Sequence, residues 1–311
     1  MKKTSEPIVF FGSGPVAAES LRLLHKHCSI EAVITKPRAT HHKGDVPVLA
    51  LAEKLHIPVF TAFNKRSLDA LFDSQPVKSR IAILIDFGII VSQQVIDYFP
   101  LGILNSHFSL LPEWRGADPI TFSILSGQSK TGVSLMLLTA GMDEGPLLAQ
   151  TEYELTPTTT TPQLTDALIE LSDAQIQTIL PLYLEDSIQP VNQLEASISE
   201  VVEPTYSRKL TKDDGRIDWS KPAVVIEREI RAFIEWPKSR ATFGNLEVII
   251  TQAHTDKAEG HPPGEKTISN KLPMVYCGQQ ALVLDRLKPS GKKEMTGEAF
   301  LAGYKHLFLE A

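Results

Sequence analysis

Residues 8–17 read Ile8-Val9-Phe10-Phe11-Gly12-Ser13-Gly14-Pro15-Val16-Ala17, and this stretch decides the fold. Its four leading apolar residues predict a buried strand, and the apolar spacing that follows Pro15 predicts a helix. The glycines between them allow the tight turn of a strand–helix unit. Because the same alternation of strand and helix continues along the first half of the chain, the sequence predicts an α/β fold with a Rossmann-like, doubly wound sheet.

The further elements of this half follow the same two patterns. The predicted strands lie at 8–11, 30–34, 57–60, 81–85 and 131–138, and the predicted helices at 18–24, 46–55, 67–72, 92–98 and 162–182. Residues 187–204 lack strong periodicity and contain two prolines, which is typical of a linker.

The segment after residue 204 has a different sequence pattern. Its short apolar runs are separated by Gly, Pro and Asn turns, which is typical of a small β-barrel. We therefore expect three parts: a catalytic domain at 1–186, a linker at 187–204 and a barrel domain at 205–311.

The glycine pattern Gly12-x-Gly14-x-x-Ala17 has the spacing of a dinucleotide-binding loop. The second predicted strand ends at Thr35-Lys36-Pro37-Arg38, and basic residues there suit a 2′-phosphate. An NADP-dependent oxidoreductase is therefore one interpretation. The other is that the glycines only turn the chain tightly, because this motif by itself is weakly specific.

A second stretch carries the chemistry: Asn105-Ser106-His107-Phe108-Ser109-Leu110-Leu111-Pro112-Glu113-Trp114-Arg115-Gly116. Asn105 and His107 end an apolar run, where ligands bind in open α/β sheets. Asp143 follows the predicted strand at 131–138. An amide, an imidazole and a carboxylate suit acyl transfer to an amine, because they can hold an oxyanion, exchange a proton and orient the base. Each residue alone has an ordinary structural explanation, but their combination favours catalysis.

Composition limits the remaining classes of function. The net charge is −6, yet residues 205–311 carry 17 basic against 14 acidic residues, so phosphate contacts there are possible without being required. Cys28 and Cys277 form no disulfide framework or zinc pattern. The histidines lack ligand spacing, so we expect no metal and interpret four of them as solvated surface residues: His25, His27, His41 and His42. With no signal-peptide pattern and no membrane-span run, the expected location is the cytoplasm.

Two parts of the chain resemble a known family. The 105–116 segment is similar to the signature of formyltetrahydrofolate-dependent transferases, Asn-x-His-x-Ser-Leu-Leu-Pro followed by Arg-Gly. Residues 205–237 and the tail at 287–303 resemble the second domain of methionyl-tRNA formyltransferases. The resemblance spans nearly the whole chain, and both signatures are specific.

This resemblance implies a Rossmann-like formyltransferase domain, a linker and a C-terminal OB-like β-barrel. It implies transfer of formyl from the co-substrate 10-formyltetrahydrofolate to the amino group of methionyl initiator tRNA, in translation initiation and without a metal. The catalytic residues would be Asn105, His107 and Asp143. The residues carried over as folate contacts are Asp86, Phe87, Gly88, Ile89, Ser109, Leu110, Leu111 and Pro112.

The chain departs from the family pattern in two places. The loop after the second strand, which grips the tRNA acceptor end in the family, is shorter here at 36–44, and Asp86 stands where the family has a small neutral residue. The expected tRNA contacts are Lys36, Arg38 and Lys43 in the first domain, with Arg208, Lys209 and Lys212 in the second. We expect a monomer.

Other functions share parts of this pattern. A sugar-nucleotide formyltransferase or a formyltetrahydrofolate hydrolase module would use the same trio and a similar second domain. The tail beyond Leu287 favours the tRNA enzyme. An NADP-dependent oxidoreductase rests only on the glycine loop, and the intact trio argues against a catalytically idle tRNA-binding protein.

Overall fold

The computed structural model describes residues 6–38, 46–196, 198, 203–258 and 260–309. Lys43, His41 and His42 lie outside these ranges. The elements before residue 200 are, in chain order, β1 (Ile8–Phe11), α1 (Pro15–Leu24), β2 (Ile30–Thr35), α2 (Pro47–Lys54), β3 (Val59–Thr61), α3 (Lys65–Asp73), β4 (Ile81–Leu84), α4 (Gln93–Asp97), β5 (Ile103–His107), β6 (Arg115–Gly116), α5 (Pro119–Ser126), β7 (Lys130–Leu137), β8 (Leu147–Glu154), α6 (Thr161–Leu184) and α7 (Gln193–Ala196).

The elements of the remaining chain are mostly short strands. They are β9 (Tyr206–Ser207), a 3-10 helix (Lys212–Gly215), α8 (Ala223–Ala232), β10 (Arg240–Phe243), β11 (Leu246–Asp256), β12 (Lys266–Ser269), β13 (Leu272–Tyr276), β14 (Ala281–Pro289), β15 (Met295–Thr296), α9 (Gly297–Tyr304) and a second 3-10 helix (Lys305–Phe308). Among the helices of the described ranges, none has the length and apolar composition needed to span a bilayer.

The chain divides into two compact units. The first contains residues 1–119, 130–154 and 165–207, and the second contains 120–129, 155–164 and 208–311. The second unit thus includes two segments from the earlier part of the sequence. The expected boundaries between catalytic domain, linker and barrel stay a prediction.

The sheet of the first unit has the order β3-β2-β1-β4-β5-β7-β8. Its strands from β3 to β5 are parallel, while β7 is antiparallel to both β5 and β8. The Rossmann-like, doubly wound fold expected from the sequence is therefore confirmed. The antiparallel strand β8 was not predicted, because after its two leading leucines it carries polar residues and is only partly buried.

The centre of this sheet explains why two distant loops meet. All four residues of β1 are buried, as a central parallel strand requires. Phe11 packs edge-to-face on Phe87, with ring centroids 5.3 Å apart. The backbone N–H of Ser13 then donates to the carbonyl of Asp86 at 3.1 Å. The glycine loop after β1 and the loop after β4 therefore lie side by side.

Local signals set the helix starts in this unit. Pro15 occupies the first turn of α1, where its missing N–H costs nothing. Asn64 caps α3, and its side chain and that of Ser67 form a reciprocal capping box. Pro15 therefore sets the start of α1 directly after the glycine loop, and Asn64 sets the start of α3.

The second unit contains a curled antiparallel sheet, ordered β10-β11-β14-β13-β12 with β15 beside β14. Register shifts between Ile250 and Ala253 bend β11 where it pairs with β14. The inner face packs on α8 through Ile226 and Ile230. This half-barrel confirms the barrel-like antiparallel architecture expected for the C-terminal part.

Candidate active site

Strand β5 carries the first two predicted catalytic residues. Asn105 and His107 stand two residues apart, so the pleat of the strand directs both side chains to the same face. They are 6% and 7% exposed, respectively. Ser106, on the opposite face, forms a hydrogen bond of 2.6 Å with Ser172. The strand thus presents an amide and an imidazole together in a nearly water-free position.

Asp143 lies in the loop between β7 and β8, in the left-handed region with φ +50°. Its Oδ1 accepts a hydrogen bond of 3.2 Å from Asn105 Nδ2. Its Oδ2 accepts one of 2.8 Å from the backbone N–H of Gly116. The structure therefore brings the carboxylate to the face of β5 on which the amide and imidazole lie.

The hydrogen bonds of His107 define its tautomer. Its Nε2 lies 2.9 Å from the carbonyl oxygen of Trp114. Because a carbonyl can only accept, Nε2 carries the proton and donates it. The other nitrogen, Nδ1, lies 3.8 Å from Asp143 Oδ2. A neutral His107 therefore holds its lone pair at Nδ1, on the side of the carboxylate, where a proton can be taken up.

Gly116 makes the backbone contact to Asp143 possible. Its φ is +102°, and a Cβ at this position would lie 2.8 Å from the carbonyl oxygen of Ser207 and 3.4 Å from Met142 Sδ. Both the conformation and the close approach require glycine. This explains the Arg-Gly pair that follows the Asn-His motif.

The residues expected to contact folate near β5 are buried. Leu110 and Leu111 belong to the interior, and Ser109 Oγ donates to the carbonyl of Glu113 at 2.5 Å. Ser134 Oγ in turn donates to the carbonyl of Ser109 at 2.6 Å. Pro112 is also buried. These contacts fix the chain beside His107, and a folate contact through this segment stays a prediction.

The loop after β4 contains the other expected folate contacts. Phe87 is buried in the core and Gly88 has φ +64°, so their backbone turns sharply at the end of the strand. Asp86 is exposed by its accessible surface, but protein atoms crowd around its carboxyl group and displace part of its hydration. Burial raises the pKa of Asp86 to about 6, against the opposing charge of Lys36 and with a small contribution from Asp118. This acid therefore changes charge close to neutral pH.

The expected tRNA contacts divide between the two units. Lys36 lies at the end of β2, and its Nζ is close enough to Gly88 that a Cβ there would collide with it. In the second unit, Lys209 and Lys212 are exposed. Arg208 instead forms two hydrogen bonds with Asp214, of 2.9 and 2.5 Å. Arg208 is exposed as well, and the Asp214 carboxylate partly neutralises its charge. Arg38 follows β2 and is exposed.

One histidine differs from its interpretation as a surface residue. His27 is buried, and its Nε2 forms a hydrogen bond of 2.8 Å with Asp173. Its Nδ1 lies 3.5 Å from Cys28 Sγ. The surface interpretation was wrong for His27, because the sequence did not reveal an acidic partner 146 residues away. Within the described ranges, no three His, Cys, Asp or Glu side chains are grouped as a metal site would require.

The sequence analysis missed one buried residue beside the site, Gln193. Gln193 is 1% exposed and donates hydrogen bonds to the backbone on both sides of Glu144, within the Asp143 loop. It lies in the segment interpreted as a linker. A single glutamine in a stretch without periodicity gives no signal of this kind.

Comparisons with known families and relatives match nearly the whole chain. A family profile described as Formyl transferase matches residues 8–180, and one described as Formyl transferase, C-terminal domain, matches residues 209–305. The methionyl-tRNA formyltransferase of Pseudomonas putida (strain W619) is 38% identical over 291 residues, covering 92% of both chains. That of Chloroflexus aurantiacus is 33% identical over 306 residues, covering 95% of this chain and 96% of the relative.

Solved structures agree with the fold. An N-formyltransferase from Helicobacter canadensis, in complex with folinic acid and dTDP-3-aminofucose, has a TM-score of 0.65 and 18% identity, covering 91% of this chain and 99% of that one. WlaRD, a sugar 3N-formyl transferase, has a TM-score of 0.66 and 17% identity, covering 93% and 100%. At such identities the likeness concerns the fold alone. The family profiles and the full-length relatives show that the chain belongs to the formyl transferase family, among the methionyl-tRNA formyltransferases.

Proposed function

We propose that this chain transfers the formyl group of 10-formyltetrahydrofolate to the amino group of methionyl initiator tRNA. The observation that carries the proposal is the convergence of Asn105, His107 and Asp143 on one face of β5. The similarity to methionyl-tRNA formyltransferases along the whole chain supports the choice of acceptor.

The reaction forms a bond between the amine nitrogen and the formyl carbon and breaks the bond from that carbon to the folate nitrogen. The amine loses one proton, and the folate nitrogen gains one. Neither step requires a metal or a covalent bond to the enzyme. The protein must therefore stabilise a negative oxygen and move a proton, which the three residues can do together.

Asn105 can offer a second donor to the negative oxygen. One of its two amide hydrogens is directed at Asp143, and no described residue accepts the other. Removing one such donor typically lowers the rate by a factor of about 10² to 10³. A protonated His107 supplies a second donor, since Nε2 is already engaged with the Trp114 carbonyl and Nδ1 receives the proton.

Asp143 completes the proton path. Its carboxylate oxygen Oδ2 stands 3.8 Å from His107 Nδ1. It takes the proton of the attacking amine directly or through a water molecule. The hydrogen bonds from Asn105 and Gly116 hold the carboxylate in place for this exchange.

For the folate we propose the two segments that lie on either side of Asn105 and His107 in the sequence. The backbone of residues 86–89 and the segment 109–112 would contact it, as in the family. The polar backbone groups at the sharp turn around Gly88 suit a flat heterocycle with several donors and acceptors. The Asp86 carboxyl is an additional acceptor that family members with a small neutral residue there lack.

For the tRNA we propose phosphate contacts by Lys36, Arg38 and Lys43 in one unit, with Arg208, Lys209 and Lys212 in the other. The modestly basic composition of residues 205–311 supports the second group. A reaction on initiator tRNA takes place where translation starts, so we place the enzyme in the cytoplasm. We propose that it acts as a monomer, which light scattering with and without tRNA would test.

The direct test mixes the protein with 10-formyltetrahydrofolate and methionyl initiator tRNA and follows formyl-methionyl-tRNA on an acid gel. Rapid product formation that is lost in His107→Ala establishes the reaction and its site. If no product forms while the folate is consumed, the acceptor is water. If a dTDP-amino sugar is formylated instead, the enzyme is a sugar formyltransferase and the proposal is wrong.

A further inference from the structure

Asp143, the carboxylate of the proposed trio, is held in place by a residue that lies outside the sequence motifs of the trio. We infer that Gln193 is a positioning residue for Asp143, and that it acts by fixing the backbone of the loop that carries this carboxylate. The inference deepens the proposed function and rests on it for the role of Asp143. Gln193 itself touches neither the trio's side chains nor any reacting atom.

The contact is made by one buried amide. Gln193 Nε2 donates to the carbonyl oxygen of Asp143 at 2.8 Å and to the carbonyl oxygen of Gly145, also at 2.8 Å. These two carbonyls flank Glu144, so a single NH₂ group spans the tip of the loop. Both donor hydrogens of the amide are used, and neither carbonyl is left to find water in this buried place.

Arg115 determines which way the amide faces. Its Nη2 donates to Gln193 Oε1 at 2.7 Å. A guanidinium only donates and a carbonyl only accepts, so the oxygen of the amide must face Arg115 and its nitrogen must face the loop. Arg115 is itself the residue before Gly116, whose N–H holds the carboxylate. The two ends of this network therefore meet at Asp143.

The segment that carries Gln193 is anchored to the sheet. Val191 and Leu147, at the start of β8, exchange two backbone hydrogen bonds of 2.7 and 2.8 Å. The glutamine follows two residues later, at the first position of α7. Its amide is thus held against β8 rather than carried on a free linker, and it can restrain a loop that leads into the same strand.

The restrained loop needs support because of its conformation. Asp143 has a positive φ, which aspartate adopts more readily than most residues but which still costs free energy relative to the right-handed or extended regions. Tying down its carbonyl fixes the direction of its Cα–Cβ bond, and hence the reach of its carboxylate to Asn105 and Gly116. Without Gln193 we expect the loop to relax and the carboxylate to leave these two donors.

The test uses two variants at this position and one matched control. Gln193→Met keeps the size of the side chain and removes its hydrogen bonds, while Gln193→Glu keeps an acceptor for Arg115 and removes the donors. Gln175→Met is the control, because Gln175 is also buried in the first unit and donates from Nε2 to Thr151 Oγ1 at 2.9 Å and to the Val133 carbonyl at 3.4 Å. Both methionine variants lose the two hydrogen bonds donated by a buried Nε2. Gln193→Met also loses the bond from Arg115, and it alone loses contacts to the Asp143 loop.

Two readouts are compared between the variants. We expect both Gln193 variants to lower kcat about 10- to 100-fold, with the KM for folate and for tRNA each within about twofold of the wild-type value. Gln175→Met is expected to keep kcat within about threefold. The second readout is the amide proton shift of Gly116 in a nuclear magnetic resonance spectrum, which reports the bond to Asp143 Oδ2 without any turnover. We expect it to move upfield in the Gln193 variants only.

The outcomes separate the inference from the proposed function. If wild type forms no formyl-methionyl-tRNA, the proposed function fails, while the Gly116 shift still decides whether Gln193 positions the carboxylate. If the Gly116 signal is unmoved in Gln193→Met, or if Gln175→Met moves it equally, Gln193 contributes only to stability and the inference is overturned.

Discussion

Replacing Asp143 with asparagine changes the charge of the site while keeping its shape. In the native protein both carboxylate oxygens accept hydrogen bonds, from Asn105 Nδ2 at 3.2 Å and from the Gly116 N–H at 2.8 Å. An amide has one oxygen and one NH₂ group, so one of these two donors must face another donor. The variant therefore loses one accepted bond and the negative charge beside His107.

The size of the effect follows from these two losses. A hydrogen bond to a charged group contributes about 1.5–3 kcal/mol, and about 1.4 kcal/mol corresponds to a tenfold change in rate. The lost bond alone therefore lowers kcat about 10- to 150-fold if it is needed in the transition state. Removing the carboxylate also removes the acceptor proposed for the amine proton, which adds at least about another tenfold. We expect Asp143→Asn to reduce kcat by about 10²- to 10³-fold.

The assay is the initial rate of formyl-methionyl-tRNA formation at saturating concentrations of both substrates. Asp97→Asn is a matched control, because Asp97 is an exposed acid of the same unit whose carboxylate accepts from Gln93. Thermal unfolding followed by circular dichroism verifies that both variants are folded. If Asp143→Asn retains more than about a tenth of the wild-type kcat, the carboxylate is not required and the reasoning about the trio is refuted.

Three further predictions concern tRNA binding and stability. The double change Lys209→Ala and Lys212→Ala should weaken tRNA binding and reduce the slope of log Kd against log salt by up to about two, and an unchanged slope in filter-binding assays would exclude these contacts. Burial raises the pKa of Asp86 to about 6, above its value in the unfolded chain, so the contribution of Asp86 to the free energy of unfolding falls as the pH rises from about 4 to about 6. Asp86→Asn should then have a free energy of unfolding at pH 7 that is higher than that of wild type by about 1 kcal/mol, allowing for screening by water. At pH 3.5, urea unfolding should show the same free energy of unfolding for the variant and for wild type. Burial alone would raise the pKa of Glu31, but hydrogen bonds led by Ser79 outweigh it and lower that pKa. Glu31→Gln should therefore cost about 1–3 kcal/mol at pH 7, and the difference from wild type should shrink as urea unfolding is repeated towards pH 3.

The parts of the fold that could be predicted are those in which a single hydrophobic pattern dominates the sequence. The β1 strand is buried on both faces, so it shows as an uninterrupted apolar run. The β8 strand escaped prediction because polar side chains alternate with partly buried ones. Short apolar runs in the sequence indicated the half-barrel. The bend in β11 depends on register shifts that cannot be recognised from the residue types.

The sequence indicated three side chains that the structure brings together, but not the groups that hold them, and the catalytic role of the three stays a prediction. Asn105, His107 and Asp143 stood out because their chemistry is specific and two of them share a motif. The carbonyl of Trp114 and the N–H of Gly116 are backbone groups, which every residue of their kind possesses. Gln193 is 50 residues from Asp143, and only the folded chain reveals their contact. Asp86 was noticed as a departure, but its raised pKa depends on burial that the sequence does not show.

The pairing of β6 with β9 bears on how a minimal enzyme could be cut from this chain. Arg115 and Gly116 pair with Tyr206 and Ser207, far along the sequence. A fragment ending at residue 186 would lack both this pair and Gln193, and would leave the backbone of the Asp143 loop without the side-chain amide that holds it. A fragment that ends at the last predicted catalytic motif would therefore lose contacts that hold the proposed site, and we expect a working fragment of the first unit to extend to residue 207.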